Sequence, residues 1–156
     1  LLTLNARGKG LVDIAEAVKS TVQKYGVELV VVDSISRAGA GDLSGNREAN
    51  EIIDVLNSIA PSWLGIAHSP RVDGQRVYGS VHFDAGADVI VNVISQRKQN
   101  VLGIALKVTK ANDLPTGAVW GLAYEFSNES GLISAHTASV TEFPQISAVL
   151  NGDSGG

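Results

Sequence analysis

Leu29-Val30-Val31-Val32 is a continuous apolar run, rich in β-branched side chains, that stops at Asp33. Such a run predicts a strand covered on both faces, the habit of parallel sheets rather than of half-solvated antiparallel ones. Upstream, Leu11, Ile14, Ala15, Val18, Val22 and Tyr25 recur at helical spacing, and Gly26 falls where a helix ends. Downstream, residues 34–45 are rich in Gly and Ser and read as a loop. Asn46 is placed to cap a second helix with the apolar face Ala49, Ile52, Ile53, Leu56 and Ile59, and Pro61 stops it. Residues 63–67 form a second short apolar strand ending at His68.

Farther out the pattern changes. Residues 1–4 read as a strand end, and residues 69–79 as a polar loop bearing Pro70, Arg71 and Arg76. Residues 80–87 fit a helical turn. Residues 88–94 and 101–109 read as strands joined through a polar turn at 96–100, a hairpin. Residues 110–117 read as a loop and 119–126 as a fifth strand. Beyond Ser130 the periodicity fades into Ser, Thr and Ala, and 151–156 reads as a flexible tail. The predicted fold class is α/β: a partly parallel sheet flanked by helices, with an antiparallel C-terminal extension of the same sheet.

Composition narrows the functions. The 156 residues are 44% hydrophobic and 18% charged, an ordinary globular balance. A net charge of −4 excludes a strongly basic nucleic-acid footprint but leaves local basic loops open. Without Cys there are no disulfides, zinc-thiolate sites or cysteine nucleophiles. The longest apolar run is too short to span a membrane, and no secretory signal is visible, so the expected compartment is the cytoplasm. Met is absent even at position 1, which reads as a chain cut from something longer, or processed.

In open α/β sheets, ligands bind beyond the carboxyl ends of the strands. Asp33 there either holds a hydrated Mg²⁺ beside a nucleotide or caps the loop that follows. His68 either bonds a terminal phosphate or is satisfied by backbone. Arg76, Gly79 and Ser80, in the segment RVYGS, suit a nucleotide, a neighbouring subunit or a DNA backbone, and equally a solvated loop. Lys107 and Lys110 flank Val108-Thr109, and strand alternation puts them on opposite faces. Lys110 opens the loop KANDLPTG, placed to reach out of its own domain. A metal-hydrolase cluster of Asp33, His68, His82, Asp84 and Asp88 has only the common His-x-Asp spacing in its favour. No phosphate-binding G-x-x-x-x-G-K-[ST] and no nucleophile elbow G-x-S-x-G occurs.

Four segments carry a resemblance: ELVVVDSISRAGAGD (28–42), LGIAHSPR (64–71), RVYGSVHFDAGADVIVNV (76–93) and LKVTKANDLPTG (106–117). In this order they resemble RecA-like P-loop ATPases, nearest to the RepA-type hexameric helicases and more distantly to the DnaB type. The resemblance implies ATP and Mg²⁺ as cofactors. It makes Asp33 the Walker B aspartate, which holds Mg²⁺ through water, and adds Ser34, Arg76 and Ser80 as nucleotide contacts. It implies that His68 is the polar sensor of the γ-phosphate and that Asp88 opens the next strand. It makes Lys110 the lysine of the K-x-R element that reaches the neighbouring subunit's nucleotide. The implied partners are further copies in a hexameric ring and single-stranded DNA, held by loops 34–46 and 69–79, with no membrane.

Two departures stand out. Asn112 replaces the K-x-R arginine, and both Walker A and the family's catalytic glutamate are missing. The expectation is therefore the C-terminal part of a motor ATPase, with residues 1–127 as the core fragment and 128–156 as extension and tail. Its rivals are a hydrolysis-deficient binding or assembly module and a metal-dependent hydrolase.

Overall fold

The computed structural model describes residues 1–6, 8–39, 46–68 and 81–150. Its elements are α1 (Leu11–Tyr25), β1 (Leu29–Asp33), α2 (Ile35–Ala38), α3 (Asn46–Ile59), β2 (Ser62–Ile66), α4 (Val81–Gly86), β3 (Val89–Lys98), β4 (Val101–Ala111), β5 (Val119–Ser127), β6 (Gly131–Thr137), a 3₁₀ turn (Pro144–Ile146) and α5 (Ser147–Leu150). They form two compact units, Leu1–Ala87 and Asp88–Gly156.

The first unit grows from its apolar stripes. Helix α1 buries Leu11, Val18 and Val22, and α3 buries Ala49, Ile52, Ile53, Leu56 and Ile59. At the start of α1 the Asp13 carboxylate accepts the Gly10 N–H at 3.1 Å, and Gly26 closes the other end in the left-handed conformation. Strands β1 and β2 are parallel, in register from Leu29 opposite Ser62 to Asp33 opposite Ile66, as a helical crossover allows. Val30, Val32 and Trp63 pack on the helical core, and the Trp63 indole N–H donates to Asn57 Oδ1 at 2.9 Å, tying β2 to α3.

The expectation of two covered faces is corrected here. Leu29, Val31, Leu64 and Ile66, on the other face, are each between 43% and 54% exposed. The physical reason is that α1 and α3 pack against one another in a single core, on the side of Val30, Val32 and Trp63.

The second unit is an antiparallel sheet in the order β3-β4-β5-β6. The expected extension of one continuous sheet is corrected too: β1 and β2 form a two-stranded sheet, and β3 takes β4 as its hydrogen-bonded neighbour. The hairpin runs longer than periodicity implied. β3 and β4 pair as far as Lys98 opposite Val101, so the turn is only Gln99-Asn100, with Gln99 at φ 55°.

One sheet face is made of small residues. Ala105 and Ala123 are fully buried, beneath Phe143 and Ile146 from the segment after β6. Gly103 makes room for the Phe143 ring and Gly121 for Leu150. The Gln145 N–H donates to Gln96 Oε1 at 2.8 Å, pinning that segment down. Strand β6, in the stretch where periodicity had faded, is exposed along its whole length, which removes the alternation that reveals a half-buried strand.

Candidate functional site: a strand-end edge and a bulged lysine stem

Because β1 and β2 are parallel and in register, their carboxyl ends share one edge. Asp33 closes β1 there and is exposed; His68 follows β2 two residues beyond Ile66 and is exposed as well. Ser34 leaves the strand in an extended conformation and Ile35, only 5% exposed, starts the short helix α2 inside what read as a plain loop. The Asp33–Ser34 peptide bond is cis. Ser34 is the one buried polar side chain among the described residues, and its Oγ lies 2.9 Å from Ser36 Oγ. The exposed Asp33 carboxylate is a hard oxygen donor of the kind divalent cations accept.

Arg76 and Ser80 lie outside the described residues, as do residues 40–45 and 69–79 of the two loops expected to hold DNA. So do the side chains of His82 and Asp84. Among the described residues, no three His, Asp or Glu side chains gather to hold a metal ion. None of the described helices is long and apolar enough to cross a membrane.

Lys107 and Lys110 belong to the second unit, and the expectation of opposite faces is corrected. Asn92 faces Lys107 and Val91 faces Val108, but Ile90 faces Lys110. Thr109 is therefore an extra residue in β4, a bulge. Residues directly opposite share a face, and Ile90 and Asn92 lie two apart on β3, so both lysines lie on one face.

The structure also joins two residues that sequence reasoning had named separately. Asn112 Nδ2 donates to Asp88 Oδ1 at 2.9 Å, and the Asn112 N–H donates to the Asp88 carbonyl at 3.0 Å. A signal for this pair existed. Counting outward from a two-residue turn at Gln99-Asn100 and allowing one bulge brings Asp88 opposite Asn112.

No protein-family model matches this chain, and no curated protein matches it either.

Proposed function

We propose that the chain is the Walker B-to-finger half of a RecA-like ATPase that couples ATP hydrolysis to the remodelling of single-stranded DNA as a ring of like subunits. The supporting observation is the parallel pairing of β1 with β2, which brings Asp33 and His68 out at one carboxyl edge. That edge is where open α/β sheets bind ligands. Asp33 would hold Mg²⁺ through water, with Ser34 beside it. Mg²⁺ accepts such a site because it retains most of its hydration and needs only one or two carboxylates beside the phosphates. When bound, the ion offsets charge on the β- and γ-phosphates. His68 would read the terminal phosphate from the neighbouring strand end. Lys110 would reach the next subunit's nucleotide as a compact point charge.

None of the 156 residues forms G-x-x-x-x-G-K-[ST], so the phosphate cradle for this chemistry has to come from another segment. Asn112, in place of the finger arginine, favours the second reading: an assembly module that keeps the interface without hydrolysis. An arginine finger contributes about 10³–10⁵ in rate, so its loss weighs on turnover.

The test joins these residues to a phosphate-binding loop and compares Asp33→Asn with the parent. Turnover is expected to fall at least about 10²-fold, in the range lost when a transition-state contact is removed. Nucleotide affinity stays within a few-fold. Turnover untouched by Asp33→Asn overturns the ATPase proposal, and no turnover in either protein favours the assembly module. By calorimetry, the 156 residues alone should bind ATP more weakly than 1 mM, roughly −4 kcal/mol.

A further inference from the structure

We propose that Asn112 is a positioning residue: with Asp88 it clamps the root of the loop after β4, and it does not itself reach a neighbouring nucleotide. What the loop serves rests on the ATPase proposal above; the clamp rests on geometry alone.

The clamp sits where support for β4 becomes one-sided. The last ladder pair between β4 and β5 is Lys107 with Val119. Two more bonds follow, from the Val108 N–H to the Ala118 carbonyl and from the Gly117 N–H to the Val108 carbonyl. Gly117, at φ 87°, turns the chain back in a conformation that side chains resist. Beyond that point the ladder continues between β4 and β3, with Lys110 and Ala111 opposite Ile90 and Val89. Asp88 and Asn112 then make the outermost link of the hairpin, through one backbone and one side-chain bond. Past it, residues 113–116 are all exposed.

The bulge at Thr109 and the clamp at Asn112 thus bracket Lys110 and set the face from which it is displayed. The chemistry at 112 matches this task. A carboxamide is short and donates to a carboxylate, so the donor is spent inside the loop root. An arginine at 112 meets the same Asp88 carboxylate and pairs with it. Asn112→Arg therefore does not restore a finger.

Hydrogen exchange of the 156-residue chain, read over residues 109–118, tests the clamp. Asn112→Ala and Asp88→Ala should each speed exchange there by about tenfold, what one or two surface hydrogen bonds protect. Combining them should add nothing further. Asn112→Asp, which sets carboxylate against carboxylate, should match or exceed either change. Asp88→Asn keeps an acceptor oxygen and should retain the parent's protection. Unchanged exchange in the β4–β5 ladder, over residues 102–106 and 120–124, shows that the second unit of each variant is folded. Parent-like exchange in Asn112→Asp, or additive effects in the double variant, overturns the proposal. No nucleotide enters these measurements, so the clamp and the ATPase proposal fail independently.

Discussion

A single missing carbon decides how the second unit is covered. A Cβ on Gly103 would lie 2.5 Å from the Phe143 ring, well inside van der Waals contact, and the ring is itself fully buried. Gly103→Ala is therefore expected to destabilise by about 1–3 kcal/mol, the usual cost of overpacking a filled site. Urea unfolding would show it as a lower midpoint at unchanged slope. A shorter partner relieves the clash, so Gly103→Ala combined with Phe143→Leu should cost less than the two changes added together. The sequence carries these small residues openly, but it does not say what fills the space above them. Phe143 lies 40 positions away from Gly103, in a stretch without periodicity. Asp33 and His68 were readable for the opposite reason. Asp33 ends one apolar strand and His68 comes two residues after the other, and parallel pairing of those strands is enough to bring them to one edge.

Helices α1 and α3 and the cores of β1 to β5 were legible because each carries its own periodicity. The misreadings arose where an element depends on something beyond its own residues. Helix α2 is a single turn, too short for a 3.6-residue pattern to show. Alternation failed for Lys110 because one inserted residue inverts every side chain after it, and Thr109 looks like any other strand residue. The covered-on-both-faces pattern of Val30 to Val32 records the composition of β1, whereas burial depends on which side the helices take. Helix α1 also shows what capping contributes at this scale. Its Gly10 has no side chain to cap with, so the Asp13 carboxylate supplies the bond and a favourable charge for the helix N-terminus. Asp13→Ala should cost about 0.5–2 kcal/mol, and Asp13→Asn less, because it keeps an acceptor; thermal unfolding of the two variants checks the order.

Among the described residues, each unit carries exposed apolar side chains on one sheet face. Val31 and Leu64 are 54% and 53% exposed on the first; on the second, Val93 and Trp120 are 56% and 52% exposed. Contiguous exposed apolar surface beyond about 300–600 Å² is unusual on a folded monomer. The chain is expected to bind an apolar fluorescent dye in native buffer while its near-ultraviolet circular dichroism stays sharp. Val31→Lys with Val91→Lys should lower that fluorescence about twofold or more without changing the dichroism. Dye binding at the background level of an ordinary globular protein contradicts the exposure of these faces.

The two ways of pairing strands carry different entropic debts. β3 and β4 meet across a two-residue turn, whereas β1 and β2 meet across residues 34–61, a loop of 28. Closing the longer loop costs about 2 kcal/mol more in chain entropy before any contact forms. The hairpin therefore carries its own means of closure within about two dozen residues. The parallel pair has none: it exists only while α3 shortens the intervening chain and offers Ile52 and Leu56 as a surface to fold against. For Asp33 and His68, emergence at a common edge is thus a property of that helix more than of the strands that lead to them.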